Sequence, residues 1–314
     1  MNQLYGHETT RQRFTESLAA GTLHHAWLLY GMKGIGKHTL AEQLAGFVMC
    51  DSQTACGECH GCKMLTAGSH PDVYRLGLLE GKRDLKIEQV RGVLSFLSLS
   101  GAESGRRVVI LDDAERMNNQ AANALLKGLE EPSAGSVLLI VCSDLERLPA
   151  TVRSRCMLQQ CSPLSDADVQ AVLEQQENPV QERYLELAVN LADGCPGTVS
   201  CLQDEGIARA LLEWRELIAD PVSADIGKIE NWIRLHVKTV PHLLIARMLA
   251  QIIYPSLQNA CDTVAFENRE ALQQALHKCI RWPGDVVRHS LRAGPALLAC
   301  ILQLRTSLRE MKTA

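Results

Sequence analysis

The sequence predicts an α/β fold in which a mostly parallel sheet is followed by a part made only of helices. A glycine-rich loop, Gly31–His38, lies between an apolar run that predicts a buried strand and a segment that predicts a helix. From there to about residue 162, apolar strands alternate with amphipathic helices, which is the pattern of a parallel sheet. Beyond residue 162 no strand-like pattern persists. These three observations define the predicted fold class.

The composition is that of an ordinary soluble protein long enough for two or three domains. The 314 residues are 46% apolar and 22% charged, and the formal net charge is −4. This balance excludes a globally basic nucleic-acid binder, although it leaves a local basic patch open. No apolar run is long enough to cross a bilayer, and the N-terminus lacks the features of a secretory signal. We therefore expect a cytoplasmic protein, in which twelve cysteines indicate metal binding before disulfides.

The predicted elements of the α/β part follow one another in a regular order. The first is a short amphipathic helix over residues 8–20, with Phe14 and Leu18 four apart on one face. The strand His25–Tyr30, the glycine loop and the helix Thr39–Val48 come next. The later elements are predicted over His70–Leu76 (a turn that enters a strand), Ile87–Leu97 (helix), Val108–Leu111 (strand), Asn118–Glu131 (helix) and Val137–Cys142 (strand).

The glycine loop has the features of a phosphate-binding loop. Its glycines, Gly31, Gly34 and Gly36, allow the backbone to turn tightly so that its N–H groups point at a phosphate. The helix N-terminus that follows favours negative charge, and Lys37 is placed to reach the β- and γ-phosphates. Strand, loop and helix together are the context that such a site requires.

One position of the loop departs from that pattern. A hydroxyl is expected immediately after the lysine to hold Mg²⁺, but the residue there is His38. Thr39 lies about 100° further around the helix, so we expect its hydroxyl to point away from the site. The departure favours an impaired or idle nucleotide site, so bound ATP and Mg²⁺ are doubtful. An active ATPase and a glycine turn that binds nothing are the alternatives.

Acidic and hydroxyl side chains follow two predicted strands at the edge where ligands bind in open α/β sheets. Asp112 and Asp113 end the strand Val108–Leu111, and Ser143 follows the strand Val137–Cys142. Asp112 would hold Mg²⁺ through water. Asp113 stands where many such ATPases carry a glutamate that orients the attacking water, and its shorter side chain predicts weak hydrolysis. A strand that ends in solvated acids is the alternative. The candidate nucleotide-binding residues are Gly31, Gly34, Gly36, Lys37, His38, Thr39, Asp112, Asp113 and Ser143.

A cysteine cluster follows the helix of the glycine loop. Its spacing is C-x5-C-x2-C-x2-C, and its members are Cys50, Cys56, Cys59 and Cys62. Gly57 and Gly61 would allow tight turns that bring the sulfurs together, and four thiolates complete a tetrahedral Zn²⁺ shell. A ferredoxin-type cluster is disfavoured because Thr66-Ala67 stand where that motif has Cys-Pro. The cluster predicts a structural zinc ion in a module over residues 50–62, with a disulfide pair or idle thiols as alternatives.

The C-terminal half predicts helices throughout. They are expected near residues 165–176, 181–192 and 197–204, with a capped start at Leu164-Ser-Asp-Ala-Asp168. A longer set covers about 207–312, with breaks near Pro221, Pro241, Pro255, Pro283 and Pro295. The change in pattern predicts domain boundaries near residues 162 and 206.

The order of these motifs resembles that of the clamp-loader ATPases of bacterial replication, which belong to the AAA+ class. The glycine loop is followed by the cysteine insertion, His70-Pro-Asp72 and the strand end Leu111–Glu115. Ala121–Lys127 comes next, and Glu130-Glu-Pro132 and Ser154-Arg-Cys156 complete the series. The resemblance covers essentially the whole chain and is strongest over residues 23–162. It implies an AAA+ domain over 1–162, a helical lid domain over 163–205 and a helical collar over 206–314.

Within that family the chain is more similar to a subunit that hydrolyses ATP weakly or not at all than to the motor subunit. The motor carries an intact loop, an Asp-Glu pair and an arginine in the second domain. This chain has His38, Asp113 and an arginine-free Gly194–Thr198. The resemblance implies a five-subunit ring with the motor ATPase subunit and the delta subunit, which opens the sliding clamp and loads it on primed DNA. An active motor subunit of the same ring is the alternative.

The resemblance also assigns a role to Arg155. In the Ser-Arg-Cys motif this arginine reaches across a subunit interface to the neighbour's ATP, and a guanidinium suits phosphate in a planar, bidentate way. Arg153 is a nearby alternative for this role, and a surface salt bridge is the alternative role for Arg155.

The apolar residues of the collar helices, such as Leu211, Leu212, Ile252 and Leu298, are expected in the core of the collar or in its interfaces. A third hypothesis is a zinc-containing DNA-binding protein, which the negative net charge disfavours.

Overall fold

Five parallel strands form one sheet in the computed structural model, which describes residues 4–78, 81–99, 105–259 and 266–313. The order across the sheet is β2-β3-β4-β1-β5, and each neighbouring pair is parallel. All carboxyl ends of the strands therefore lie at one edge, as the sequence predicts. The strands are β1 (Ala26–Tyr30), β2 (Val73–Leu76), β3 (Arg107–Leu111), β4 (Ser136–Cys142) and β5 (Met157–Gln160).

The central strands are apolar along their whole length because both faces of the sheet are covered. Successive side chains of a strand point to opposite faces, so Trp27 and Leu29 join one core cluster and Leu28 joins the other. Residues of β3 and β4 divide in the same way between the two clusters. This double burial explains why these strands read as continuous apolar runs rather than as alternating ones.

Among the described residues, six α-helices accompany the sheet in the first part of the chain. The predicted helices are confirmed within one or two residues, and Phe14 and Leu18 of the first are buried. Two short helices and the strand β5 were not predicted. The exposed side chains of β5 alternate with partly buried ones, since this edge strand has a single neighbour. The six are α1 (Glu8–Ala19), α2 (Lys37–Met49), α3 (His60–Thr66), α4 (Ile87–Leu97), α5 (Asn119–Glu130) and α6 (Ala150–Arg153).

Helices make up the regular structure described after β5, as predicted. The prediction of a helix near 197–204 is wrong. The structure has two 3₁₀ turns there, Pro196–Thr198 and Ser200–Gln203, because proline and glycine disfavour a continuous α-helix. The seven helices that the structure describes here are α7 (Asp166–Glu174), α8 (Glu182–Ala192), α9 (Glu205–Leu217), α10 (Ile226–His236), α11 (His242–Asn259), α12 (Phe266–Arg288) and α13 (Ala293–Thr313).

The predicted breaks at two prolines are also wrong. Pro255 lies inside α11 and Pro283 lies inside α12. A proline removes one backbone hydrogen bond from a helix, and packing along the rest of the helix can outweigh that loss. Leu272, Leu276 and Cys279 of α12 are buried, which provides such packing. Pro221 and Pro241 lie between helices, as expected.

The chain divides into two compact units. The first comprises residues 1–172 and 193–198, and the second comprises residues 173–192 and 199–314. The return of 193–198 to the first unit brings the turn Gly194–Thr198 back to the sheet. Boundaries at 162 and 206, with separate lid and collar domains, stay a prediction. No helix in the described ranges is long and apolar enough to cross a membrane.

Candidate functional site

The glycine loop connects β1 to α2 at the carboxyl edge of the sheet. Gly31, Gly34 and Gly36 have φ values of 153°, 83° and 97°, conformations that side chains other than glycine rarely adopt. Gly36 is the N-cap residue of α2, which begins at Lys37. The three glycines therefore have the backbone role that the sequence predicts for them.

The ammonium group of Lys37 is buried and fully hydrogen-bonded within the chain. Its Nζ donates to the carbonyl oxygens of Gly31 and Met32 at 2.9 and 2.7 Å, and to Ser143 Oγ at 3.2 Å. These three acceptors match the three hydrogens of the group. Burial lowers the pKa of Lys37 below its ordinary value. Ser143, which follows the end of β4, thus lies beside the glycine loop, and its role in binding nucleotide stays a prediction.

His38 occupies the position expected for a hydroxyl and bonds directly to the acid at the end of β3. Its Nδ1 lies 2.9 Å from Asp112 Oδ2, and its Nε2 lies 3.7 Å from Glu42 Oε1. The hydrogen bond to Asp112 raises the pKa of His38. Burial opposes ionisation of Asp112, but the bonds from His38 and from the Asp113 N–H lower its pKa overall. The two side chains therefore form a hydrogen-bonded pair, and both pKa shifts favour its charged form.

The residues at this edge do not fit a Mg²⁺ ion held in the usual way. That arrangement needs a hydroxyl after the lysine and an acid that is available to the water shell of the ion. Here the hydroxyl is absent, Asp112 is bonded to His38, and Thr39 is exposed on the next position of α2. That Thr39 does not replace the missing hydroxyl stays a prediction.

Asp113 adopts a strained backbone conformation beside two other acids. Its φ and ψ are 50° and 40°, in the left-handed region that residues other than glycine seldom occupy. Burial raises its pKa, and the negative charges of Asp112 and Glu115 act in the same direction. Glu115 was not predicted as a site residue, yet its Oε2 accepts a hydrogen bond from the Ser143 N–H at 3.0 Å. Its proximity to the two aspartates in sequence was the available signal.

Two further segments lie against the glycine loop and were not predicted. The Gly197 N–H donates to the Gly34 carbonyl at 2.9 Å, which seats the turn Gly194–Thr198 on the loop. His7 Nε2 lies 3.1 Å from the Ile35 carbonyl oxygen. Both contacts join residues that are distant in sequence, so no local pattern could reveal them.

The four predicted cysteines converge on one point. Their sulfurs all lie within 4.8 Å of one another, with separations of 3.6 Å (Cys50–Cys56), 3.9 Å (Cys50–Cys59) and 4.0 Å (Cys56–Cys62). A tetrahedral Zn²⁺ site with Zn–S bonds of about 2.3 Å has sulfurs about 3.8 Å apart. The cluster could therefore hold a metal ion, and its dimensions fit zinc.

Local backbone geometry organises the cluster. The N–H groups of Cys56, Cys59 and Cys62 each donate to the sulfur of the preceding cysteine in the motif, at 3.4–3.5 Å. Gly57 has a φ of 79° and makes the predicted turn. Gly61 instead lies inside α3, where a Cβ would stand 2.4 Å from the Met49 carbonyl oxygen. Its role is therefore close packing against the end of α2 rather than a turn.

The thiols of the cluster differ in pKa. Burial disfavours the Cys50 thiolate, but hydrogen bonds from Ser52 and from backbone N–H groups lower its pKa to about 5. Burial raises the pKa of Cys62 to about 12. A bound divalent metal would remove the difference, because a coordinating thiol loses its proton.

Arg155 and Arg153 lie close together but have different partners. Arg155 follows α6, and its side chain is 37% exposed; its Nη2 lies 2.7 Å from Glu130 Oε1, and its Nη1 donates to the Thr151 carbonyl at 3.0 Å. Arg153 forms a longer ion pair of 3.6 Å with Glu146, whose side chain is 86% exposed. The predicted alternative for Arg155, a salt bridge on its own subunit, is thus present.

The family model described as "DNA polymerase III, delta subunit" matches residues 6–165, slightly more than half of the chain. A curated relative, DNA polymerase III subunit delta′ of Pseudomonas aeruginosa, is 41% identical over 187 residues, which cover 58% of this chain and 57% of that protein. The Escherichia coli subunit delta′ is 35% identical over 194 residues, with 61% and 58% covered. The matched region thus spans somewhat less than three-fifths of the length of these relatives.

More distant similarities extend to other subunits. DNA polymerase III subunit tau of Salmonella typhimurium is 30% identical over 236 residues, which cover 72% of this chain and 35% of that protein. The crystal structure of a gamma subunit-related protein from Thermotoga maritima aligns with a TM-score of 0.50 at 16% identity, covering 95% of this chain and 98% of the other. This structural likeness concerns the fold, which is a parallel-sheet α/β fold of the AAA+ type with a helical C-terminal part.

Proposed function

Because the chain belongs to the DNA polymerase III delta′ family, we propose that it is a clamp-loader subunit of that holoenzyme with little or no ATP hydrolysis of its own. In this proposal it stands in a five-subunit ring beside the motor ATPase subunit and the delta subunit. The ring opens the sliding clamp and loads it on primed DNA. The chain contributes rigidity and one arginine, Arg155, to the neighbour's ATP site.

The bond between His38 and Asp112 carries the proposal of weak or absent hydrolysis. It occupies the position where an active site of this type needs a hydroxyl and a free acid around Mg²⁺. The lysine of the loop is likewise bonded to its own chain through all three hydrogens. Asp113 adds a shorter side chain where glutamate orients water in active relatives. These features favour the non-hydrolysing subunit over the motor subunit.

We assign a structural role to zinc in the cysteine cluster. Four thiolates leave no coordination position for a substrate. The ion would crosslink the end of α2 to the start of α3 through Cys50 and Cys62, both of which are buried. The chain's own contribution is the set of N–H···S hydrogen bonds that stabilise thiolates at a short spacing.

Exposed apolar side chains on the last two helices support a role of the C-terminal region in assembly. Ile280 and Val287 of α12 are 51% and 79% exposed, and Leu302 of α13 is 43% exposed. Large exposed apolar patches commonly mark sites of protein association, and we propose these side chains as members of such a patch. By contrast, Leu211 is buried and Leu212, Ile252 and Leu298 are partly buried, which favours the core as their place.

The proposal is tested by Arg155→Ala in the fully assembled loader, with Arg153→Ala as the matched control. Loss of an arginine that acts in trans should slow DNA-dependent ATP hydrolysis and clamp loading by about tenfold or more, because such residues stabilise charge in the transition state. The isolated subunit should hydrolyse ATP at background rate. Unchanged loading with Arg155→Ala would contradict the role of this arginine. Rapid turnover by the isolated subunit would instead indicate a motor.

A further inference from the structure

The geometry around Arg155 points to Glu130 as its positioning residue, an inference that rests on the proposed function of Arg155. The two side chains meet at 2.7 Å between Arg155 Nη2 and Glu130 Oε1. The second guanidinium nitrogen, Nη1, donates to the carbonyl of Thr151 at 3.0 Å. Two acceptors on different elements, the end of α5 and the helix α6, therefore define the plane of the guanidinium.

Glu130 lies at an unfavourable place for an acid unless a cation accompanies it. It is the last residue of α5, where the free carbonyl groups of the helix carry partial negative charge. Glu131 follows it, and Pro132 ends the helix, so a second carboxylate lies next to the first. The guanidinium of Arg155 compensates this negative end. The carbonyl of Thr151, the second residue of α6, adds a further acceptor.

The pair is too exposed to contribute much to folding, so its main effect is geometric. The Arg155 and Glu130 side chains are 37% and 51% exposed, and ion pairs at such positions are strongly screened by water. An arginine has many rotamers, and fixing it before it meets a phosphate avoids ordering it at that moment. Removal of Glu130 should therefore leave the fold intact and disorder the arginine.

The two contacts leave donors available for a ligand. A guanidinium has five N–H groups in one plane, and the contacts to Glu130 and Thr151 engage one each from the two terminal nitrogens. The other three point in different directions within the plane, so one or two of them can donate to a phosphate of the neighbour's nucleotide while Glu130 stays bound. The carboxylate thus orients the arginine without competing for all of its donors.

Glu146 supplies a matched control on the same segment. It pairs with Arg153 at 3.6 Å, and its own side chain is 86% exposed. Glu146→Ala therefore removes a comparable surface charge without touching Arg155. Glu130→Gln is the conservative variant, because its amide oxygen can still accept from the guanidinium.

The test measures ATP hydrolysis by the assembled loader in the presence of clamp and primed DNA. Glu130→Ala should lower kcat by about threefold to thirtyfold with little change in KM for ATP, as expected when fixing a flexible arginine assists only the transition state. Glu130→Gln should recover part of the loss, and Glu146→Ala should match the wild type. In an Arg155→Ala background, Glu130→Ala should have no further effect, since the two act as one unit.

Several results would overturn the inference. A Glu130→Ala loader that matches the Glu146→Ala control would show no positioning role. Losses that add to those of Arg155→Ala would show that Glu130 acts elsewhere. A faster loader would mean that Glu130 restrains the arginine rather than positions it. If Arg155→Ala itself has no effect, the proposed function fails together with the inference, whereas a slow Arg155→Ala loader with a normal Glu130→Ala loader rejects the positioning role alone.

Discussion

Removal of one cysteine sulfur should release a metal ion and destabilise the first unit. The change is Cys56→Ser, chosen because Cys56 is the exposed member of the cluster and its replacement disturbs no core packing. The other three cysteines keep their places, but three thiolates hold zinc less strongly than four. The matched control is Cys201→Ser, which removes a partly exposed thiol that lies outside the cluster.

The expected magnitude follows from the loop that the metal closes. The crosslink between Cys50 and Cys62 encloses about 13 residues, and chain entropy alone assigns about 3 kcal/mol to closing such a loop. For a unit of roughly 180 residues, 1 kcal/mol corresponds to about 2–4 °C in melting temperature. Cys56→Ser should therefore lower the melting temperature by about 6–12 °C.

Elemental analysis and thermal unfolding check this prediction together. The wild type and Cys201→Ser should contain about one zinc per chain, and Cys56→Ser should contain much less. A chelator should lower the melting temperature of the wild type toward that of the variant and leave the variant unchanged. Folded wild-type protein without metal, melting at the same temperature as Cys56→Ser, would refute the reasoning.

Three further predictions concern the glycine loop. Titration calorimetry with ATP and Mg²⁺ should give no binding heat, because Lys37 is already saturated with hydrogen bonds; a saturable heat that Lys37→Ala abolishes would contradict this. The raised pKa of His38 means that its ion pair stabilises the fold below about pH 6.5 and loses that effect as pH rises through the folded-state pKa. Because the pair is half exposed, urea unfolding should show His38→Asn costing under about 1 kcal/mol at pH 6 and less at pH 9; a cost that is constant with pH would rule the pair out. Gly34→Ala should lower the free energy of unfolding by about 1–3 kcal/mol, since its φ is 83° and a Cβ would stand 2.8 Å from the Thr198 nitrogen. Gly21→Ala, at a similar φ with open space around it, should cost less.

Local patterns were sufficient for most elements of the α/β part. Apolar runs bounded by polar residues predicted β1, β3 and β4, because strands buried on both faces carry no polar alternation. The helix Ile87–Leu97 was predicted to the residue from its apolar spacing. The edge strand β5 was not predicted because it has only four residues, Met157-Leu-Gln-Gln160, and two of them are polar.

Proline was a poor guide to the ends of the last helices. Pro255 and Pro283 were predicted to break helices but lie within them. A local rule counts only the hydrogen bond that a proline removes. In the folded protein, packing along a helix of 18 or 23 residues outweighs that loss.

The sequence by itself determined the groups that chemistry needs, and the tertiary structure decided how they are paired. Spacing alone specified the glycine loop and the four cysteines, since both sites are built from residues that are close along the chain. The bonds His38–Asp112 and Glu130–Arg155, by contrast, join residues on different elements. The first pair depends on the strand order β2-β3-β4-β1-β5, which brings the carboxyl ends of β1 and β3 to one edge, and the second depends on the contact between α5 and α6. Periodicity records which face of an element is buried, but it contains no information about which element lies beside it.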